Sequence, residues 1–367
     1  MKRRDFFGLP AIALAGMSAY ARDFAAEAET GPTGAITDVA GIKVGHSTRT
    51  DRPTGCTVLI AEDGATGAVD QRGGAPGTRE TDLLNPVNSV QKINAILLSG
   101  GSAYGLAAAD GVMRYLEEKN LGYYIGPGKN GAKHVVPIVP AAIMIDLGYG
   151  GDWNIRPTAE NGYQACVAAS NKPPQQGSAG AGAGATVGKL LGMAHMMKGG
   201  FGTASVQFPN GVVIGAMAVT NGAGDVWDHI RGKLIAGART EDGHHLADVM
   251  QLMRSGKFAM PRLSAIQNTT LGAIAVNVDL NKAQLTKVTQ MSTDGYALAI
   301  RPVHTPFDGD TIFGAATGKL KVPAAEIDRT IAIVGALAAD VMARAIVSAV
   351  THAKGSPQAP SASELGA

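Results

Sequence analysis

The sequence predicts an α/β sandwich in which β-sheets form the interior and helices cover the outside. Three observations support this fold class. Strand-like and helical segments are mixed, without the regular βαβ spacing of a doubly wound sheet. Several strand-like segments are nearly continuous apolar runs, which is typical of strands buried on both faces. Two helical segments carry broad apolar faces that need another layer to pack against.

The elements follow from local patterns. Strands are predicted at "AITDVAGIKVGHS" and "TGCTVLIAED", and a strand, glycine turn and helix at "INAILLSGGSAYGLAAADGVMRYLEEKN". A helix is expected over "TAENGYQACVAAS", and a hairpin around Pro209-Asn210-Gly211. A strand should start at Thr269, followed by one helix over "LNKAQLTKVTQMSTDGYALAI". A long buried helix is predicted for "AAEIDRTIAIVGALAADVMARAIVSAVTHA", and the tail 355–367 is predicted to be disordered.

Composition argues against several classes of protein. The chain has 367 residues, of which 45% are hydrophobic and 17% charged, and its formal net charge is +2. These values describe a globular protein. A weak net charge, without a basic stripe interleaved with aromatic residues, argues against a nucleic-acid partner. The 49 glycines occur in short clusters, which indicates tight turns and close backbone approaches.

The N-terminus has the features of an export signal. Arg3-Arg4 is followed by a moderately apolar stretch broken by Pro10, and the small-residue pattern Ala19–Ala21 predicts cleavage after it. The paired arginines indicate the twin-arginine type. We therefore expect a signal peptide at 1–21, a linker at 22–33, and a mature protein that is exported, periplasmic and not inserted in a membrane.

A glycine-rich segment, "PPQQGSAGAGAGATVGKLLG", has the look of a phosphate-binding loop but not its spacing. Such a loop needs Gly, four residues, and then Gly-Lys-Ser/Thr. Here Ala183 stands where the first glycine is needed, and Leu190 follows Lys189 in place of a hydroxyl residue. The segment is therefore interpreted as a turn whose backbone passes close to another element.

The stretch "AIQNTTLGAIAVNV" puts a hydroxyl residue directly after Asn268 and at the start of a buried strand. A threonine hydroxyl needs a base to become a nucleophile. If the chain cut itself between Asn268 and Thr269, the new α-amine of Thr269 would be that base, because such amines titrate near pH 8. Asn-Thr at a strand entrance is also an ordinary turn, and the two readings are not separated by this stretch alone.

Five sequence blocks in order resemble the DmpA-like aminopeptidases, which comprise L-aminopeptidase/D-esterases and β-aminopeptidases. They are "GGSAYGLAAADGV", "GAGAGATVGK", "AVTNGAG", "NTTLGAIAVNVDLNKAQ" and "HTPFDGDTIF". The resemblance spans residues 34 to 350. It implies an αββα sandwich of the kind shared with ornithine acetyltransferases, with one catalytic domain (34–354) that cuts itself at 268/269. It also implies that the resulting α and β chains stay together and assemble as homo-oligomers.

The resemblance also implies site residues. Thr269 matches the nucleophile and Asn268 the last residue of the α chain, while Asn221 matches the asparagine that stabilises the oxyanion. Asp310 stands where the β-aminopeptidases have Glu, and Asp308 replaces a Ser. We expect Asp310 also to anchor the amine of the substrate.

Other residues are weaker candidates. Tyr104, in a glycine turn, is expected to line the substrate site, although packing is an equally good explanation. Thr270 is the fallback nucleophile. His304 is expected to make a plain turn hydrogen bond, and Cys166 to be a core residue that could pair with Cys56 in an oxidising compartment.

The function expected from these features is hydrolysis of N-terminal residues from small peptides, amides or esters through a threonine acyl-enzyme. No cofactor or metal is expected. An amidase or acyltransferase on the same scaffold is one alternative. A non-catalytic exported binding protein that never cuts itself is the other.

Overall fold

The strands lie in two layers with an apolar interior between them, and helices cover the two outer faces. The computed structural model describes residues 34–128, 131, 133–258 and 268–366. In those residues the strands are β1 (Ile42–Arg49), β2 (Thr54–Gln71), β3 (Thr78–Arg79), β4 (Lys92–Ser99), β5 (Tyr123–Pro127), β6 (Lys133–Val136), β7 (Ala141–Ile143), β8 (Thr186–Val187), β9 (Met197–Lys198), β10 (Gly200–Gln207), β11 (Val213–Thr220), β12 (Asp225–Asp228), β13 (Lys233–Ala236), β14 (Leu271–Val278), β15 (Ile300–Arg301) and β16 (Thr311–Leu320). The helices are α1 (Ala108–Glu118), α2 (Ala159–Val167), α3 (Val249–Arg254), α4 (Lys282–Ser292), α5 (Asp294–Ala299) and α6 (Ile327–Thr351).

The first layer contains β1, β2, β4 and β7, and its side chains alternate between two apolar clusters. Leu59 of β2 and Leu98 of β4 face the interior between the layers. Their neighbours Val58 and Leu97 face the opposite way and pack against α1 and α2. This alternation follows from the two-residue period of a strand.

The second layer contains β10, β11, β14 and β16 and repeats the arrangement. Ala273 and Ala275 of β14 face the interior. Ile274 and Val276 face outward and pack in the cluster that contains α4, α5 and α6. Helices therefore cover both sheet layers, and the predicted αββα sandwich is confirmed.

Both layers belong to one hydrogen-bonded sheet, because the 18-residue strand β2 takes part in each. Its sheet order is β10-β11-β14-β16-β2-β4-β7-β3, with β1 also paired to β2. The first half of β2 pairs with β1 and β4, and Thr66–Gln71 pairs with β16. The pairing of β2 with β4 is irregular between Ile60 and Ala65, just before the part of β2 that pairs with β16.

The glycine-rich segment is a buried turn, as its failed phosphate-loop spacing predicts. Gly180–Gly184 form a 3₁₀ helix whose residues are all buried. A Cβ added at Gly182 would lie 2.2 Å from the backbone nitrogen of Phe201. The glycines therefore permit a close approach to β10.

Most predicted helices are present, with one difference. The segment expected to form one helix after β14 forms α4 and α5, which meet at Thr293. The Thr293 hydroxyl donates to the Asp70 carboxylate (2.6 Å) and to the Thr289 carbonyl (3.2 Å). Side-chain bonds of this kind compete with regular helix geometry, which explains the break.

The long predicted helix is α6, which packs on β10 and β11. By length and hydropathy alone it could cross a membrane, but half of its most apolar window is buried inside the protein. In the described part of the chain, α6 is therefore a core helix.

The prediction of a disordered tail is wrong for residues 355–366. Ala359 and Ala362 are buried, and the Tyr149 hydroxyl donates to Ser356 (2.8 Å). Ala362 belongs to the apolar cluster that contains α4, α5 and α6, and Ala359 packs with Tyr149 and Met196, contacts that composition alone does not show. The predicted signal peptide and linker lie outside the described residues.

Candidate active site

Thr269 lies at the entrance of β14, and neighbouring elements hold the peptide on either side of it. The Thr269 backbone nitrogen donates to the backbone oxygen of Asn221, at the end of β11 (3.1 Å). Asn268 forms a parallel β-bridge with Asp308, in the loop before β16. Asn268 and Thr269 are each 2% exposed and Thr270 is fully buried. The predicted cleavage point is therefore part of an ordered, buried site.

The two threonine hydroxyls differ in their surroundings. The Thr269 hydroxyl donates to the carbonyl oxygen of Asn268, in a very short contact. A Cβ added at Gly309 would lie 2.6 Å from Thr269 Oγ1, so the glycine lets the following loop approach the hydroxyl. The Thr270 hydroxyl is buried and has no hydrogen-bond partner among the described residues. Only Thr269 directs its hydroxyl at the predicted scissile peptide.

Asn221 is fully buried and its side-chain amide is held at both ends. Its oxygen accepts from the Thr186 backbone nitrogen (2.9 Å) and from Lys189 Nζ (3.0 Å). Its Nδ2 donates to the Ile145 carbonyl (3.1 Å). These contacts fix the orientation of the amide beside Thr269.

Lys189 is the site residue that sequence reasoning missed. Its Nζ donates to both the backbone oxygen and the side-chain oxygen of Asn221, each at 3.0 Å, and the residue is 1% exposed. Burial lowers the pKa of Lys189 to about 7, against the opposing effect of the Asp308 and Asp146 charges. The signal in the sequence was a lysine within a run of small and apolar residues, since a buried lysine needs acceptors around it.

Two carboxylates from one loop complete the site. Asp310 is 2% exposed, and its Oδ1 accepts from the Thr270 backbone nitrogen (2.7 Å). Asp308 is also 2% exposed, and its Oδ2 accepts from the backbone nitrogen (2.8 Å) and hydroxyl (2.6 Å) of Thr305. Burial, and next the charge of Asp310, raise the pKa of Asp308.

The two carboxylates differ in whether an oxygen remains available to accept a further hydrogen bond. Both oxygens of Asp310 are occupied, because its Oδ2 accepts from the backbone nitrogen (3.1 Å) and the ring Nδ1 (2.9 Å) of His304. His304 thus binds a site carboxylate rather than making only the plain turn hydrogen bond that the sequence predicts. Asp308 Oδ1, in contrast, accepts no hydrogen bond from the described part of the chain.

A buried ion pair supports the segment that contacts Asn221. Arg52 and Asp146 have fully buried side chains and lie 2.8 Å apart. Asp146 also accepts from the Gly101 backbone nitrogen (3.0 Å) and the Thr54 hydroxyl (2.6 Å). Asp146 follows Ile145 directly, so this pair anchors the carbonyl that receives the Asn221 amide.

Two other candidates lie apart from this cluster. Tyr104 is 57% exposed and stacks with Arg156, whose guanidinium carbon lies 3.8 Å from the ring centre. Among the described residues, no hydrogen bond, ion pair or ring contact joins Tyr104 to Asn221, Lys189, Asp308 or Asp310, so its substrate role stays a prediction. Cys56 and Cys166 are free and buried, and burial raises the pKa of Cys166 to about 12. A thiol of that kind is inert, in agreement with a core role.

Comparison with known proteins gives the same assignment as the sequence blocks. The model of peptidase family S58 matches residues 34–360. An uncharacterized aminopeptidase of Mycobacterium tuberculosis is 45% identical over 343 residues, which cover 87% of this chain and 94% of the relative. A 6-aminohexanoate-oligomer endohydrolase of Kocuria sp. is 29% identical over 318 residues, which cover 85% and 84%.

Solved structures agree on the fold. The L-aminopeptidase D-Ala-esterase/amidase of Ochrobactrum anthropi, described as a variant of the Ntn-hydrolase fold, has a TM-score of 0.64 and 20% identity, covering 90% of this chain and 91% of its own. A β-aminopeptidase of Burkholderia sp. has a TM-score of 0.61 and 21% identity, covering 88% of both chains. The resemblance drawn from the sequence blocks is confirmed, and this chain belongs to peptidase family S58.

Proposed function

We propose that this S58 peptidase is an aminopeptidase that activates itself by cutting its own chain between Asn268 and Thr269. One observation carries the proposal. The Thr269 hydroxyl contacts the carbonyl oxygen of Asn268 inside a buried site that also holds a lysine and two carboxylates. The proposed nucleophile thus lies beside the carbonyl group of the peptide that has to be cut.

In the proposed self-cleavage, Thr269 Oγ1 attacks the carbonyl carbon of Asn268, and the bond from that carbon to the Thr269 nitrogen breaks. The proton of the hydroxyl ends on the departing nitrogen, which becomes the free α-amine of Thr269. Asn268 remains as an ester on Oγ1 until water hydrolyses it to a carboxylate and restores the hydroxyl.

Lys189 is suited to carry the proton in this first step. With a pKa of about 7, a large share of its amine is neutral near physiological pH and able to accept a proton. Lys189 Nζ and the Thr269 nitrogen also donate to the same carbonyl oxygen of Asn221, at 3.0 and 3.1 Å. The base and the leaving nitrogen are therefore neighbours.

In the proposed turnover, the freed α-amine of Thr269 takes the proton of its own hydroxyl as the hydroxyl attacks the substrate carbonyl. The amide of Asn221 has a second hydrogen besides the one donated to Ile145, and the protonated form of Lys189 supplies a positive charge. Both suit stabilisation of the oxyanion. The acyl group then stays on Oγ1 until water removes it.

We assign recognition of the substrate amine to Asp308 rather than to Asp310, which is the residue expected from the sequence. Asp308 has an oxygen without a hydrogen bond from the described residues, whereas His304 and the Thr270 backbone occupy both oxygens of Asp310. Asp310 then positions the peptide that follows the nucleophile. The name of one relative, an uncharacterized aminopeptidase that is 45% identical to this chain, favours short peptides or amides with a free amine as substrates.

The strand pairing would keep the two chains together after cutting. Ile214–Val219 of β11 pair with Leu271–Val276 of β14, and these strands would belong to different chains. We propose that such α/β pairs assemble into a homo-oligomer. Size-exclusion chromatography with light scattering tests this.

We also propose export to the periplasm on the basis of the N-terminal pattern. Cell fractionation of the R3K/R4K variant tests this.

The decisive experiment is denaturing gel electrophoresis of the purified protein with N-terminal sequencing of the fragments. We expect two bands, the smaller of which begins with Thr269. Thr269→Ala should remain a single band and should not hydrolyse the p-nitroanilides of L-Ala, D-Ala or β-Ala. Thr270→Val is the matched control, and should cut and hydrolyse like the wild type.

The alternatives predict other results. A binding protein would remain one band on long incubation without hydrolysing any substrate. An acyltransferase would consume an acyl donor much faster when an amine acceptor is present. A Thr269→Ala variant that still hydrolyses these substrates would contradict the proposed nucleophile.

A further inference from the structure

His304 holds one oxygen of the Asp310 carboxylate with two donors. Its backbone nitrogen lies 3.1 Å and its ring Nδ1 2.9 Å from Asp310 Oδ2. The Asp310 side chain is 1% exposed, whereas that of His304 is 20% exposed. A hydrogen bond to a buried charged acceptor is stronger than one between neutral groups. The carboxylate is therefore tightly oriented.

The backbone at His304 is shaped for this double contact. His304 has φ of +57°, which is uncommon for a residue with a side chain. Non-glycine residues in this region cost free energy, and they persist where surrounding contacts enforce them. Here the conformation lets one residue supply both donors to a single oxygen.

The ring of His304 is also fixed from its other side. It stacks on Tyr296, with ring centres 5.8 Å apart and an interplanar angle of 23°. Tyr296 is fully buried and its hydroxyl donates to the Thr311 carbonyl (3.2 Å). Thr311 in turn donates its backbone nitrogen to the Thr270 carbonyl (3.2 Å).

These contacts converge on the backbone of Thr270, the residue that follows the proposed nucleophile. Asp310 Oδ1 accepts from the Thr270 backbone nitrogen at 2.7 Å, while His304 occupies Oδ2. If the carboxylate rotated, the Thr270 nitrogen would lose its acceptor and Thr269 would lose the support next to it. A displacement of about 1 Å at a reacting group can reduce the rate about 100-fold.

We propose that His304 is a positioning residue for the Thr269 chemistry, acting through Asp310. This inference rests on the proposed function and adds to it a residue outside the nucleophile, oxyanion and amine-binding groups. His304 itself exchanges no proton with substrate. It holds Asp310 so that the nucleophile keeps its alignment during both self-cleavage and turnover.

Two substitutions separate the ring donor from the backbone. His304→Gly removes the ring, keeps the backbone donor, and suits the positive φ. His304→Asn also tolerates this φ, and its Nδ2 is a donor near the position of the ring Nδ1. The two variants therefore differ mainly in the bond to Asp310 Oδ2.

The test compares the rate of self-cleavage on gels, kcat and KM for a p-nitroanilide that the wild type hydrolyses, and the melting temperature. We expect His304→Gly to melt within a few degrees of the wild type, but to cut itself and turn over about 10- to 100-fold more slowly, as for loss of a hydrogen bond to a charged group. The KM should change much less than kcat. His304→Asn should restore both rates to within about tenfold of the wild type.

Wild-type rates in His304→Gly would overturn the proposal, as would a His304→Asn variant no faster than His304→Gly. Failure of the proposed function looks different. In that case the wild-type protein stays uncut, or Thr269→Ala is as active as the wild type, whatever the His304 variants do.

Discussion

Two segments of opposite charge contribute to the site around Thr269. The carboxylates of one segment are stabilised by hydrogen-bond donors, and the lysine of the other is stabilised by acceptors. The loop 304–310 contributes two buried carboxylates, which accept hydrogen bonds from backbone and side-chain donors. The segment 185–189 contributes a buried lysine, which donates to the oxygens of Asn221. The carboxylate loop can be recognised from its sequence, whereas the lysine is recognised only when its partner is known. The difference shows that a charged group is easiest to find when the residues that satisfy it are its neighbours along the chain.

The largest expected effect comes from removing the cation. Lys189→Met should slow self-cleavage, and in the cut protein it should lower kcat about 10²- to 10³-fold, the usual result of losing an oxyanion donor. It should leave the melting temperature at pH 7.5 unchanged or higher, because burying a lysine costs free energy. Steady-state kinetics and calorimetry on the same preparation test this. A fall in melting temperature that parallels the loss of activity would show that Lys189 is mainly structural.

The next effect concerns the contact of the carboxylate loop with the nucleophile. Gly309→Ala places a Cβ 2.6 Å from Thr269 Oγ1 and 2.9 Å from the Ala75 carbonyl. Because something must shift, we expect self-cleavage to slow about 100-fold. Time-resolved gels measure the rate. Cutting at the wild-type rate would mean that the loop moves aside and does not align the hydroxyl.

A smaller effect should separate the two carboxylates. Asp308→Asn should raise KM for a p-nitroanilide with a free amine about tenfold, because a charge-assisted hydrogen bond is lost. The N-acetylated form of the same substrate is the control, since it has no ammonium to bind. Equal effects on both substrates would assign Asp308 to the chemistry and not to amine recognition.

The last expected effect is on stability and not on rate, namely a pH dependence of the free energy of unfolding caused by the buried lysines. Burial lowers the pKa of Lys189 and of Lys198 from 10.5 to about 7. Between these values the unfolded chain binds more protons than the folded one, so the free energy of unfolding rises with pH. We expect urea midpoints to increase from pH 7 to 8.5. Lys189→Met should reduce the slope, since one of the groups that cause it is gone, and an unchanged slope would contradict this account.

Much of the site could be predicted because its residues lie in short sequence blocks that resemble a known family. Thr269 follows Asn268 at the start of a buried strand, and Asp308 and Asp310 lie in one short loop before the next strand. The resemblance predicts Asp310 as the amine anchor, but His304 occupies one oxygen of that carboxylate, and the positive φ of His304 is not visible in the sequence. The spacing around Lys189 excludes a phosphate-binding loop. It does not reveal that the partner of Lys189 is Asn221.

By itself the sequence determined the order of strands and helices, the family, and the point at which the proposed nucleophile enters a strand. These follow from side-chain periodicity, turn residues and short motifs, all of which act over a few neighbouring positions. Tertiary structure decided which polar groups meet. Lys189 and Asn221 are 32 residues apart, Thr270 and Asp310 are 40, and Arg52 and Asp146 are 94. Such pairs form because the packed sheet layers exclude water from these polar groups. Each group must then bond to a partner that the tertiary structure places beside it.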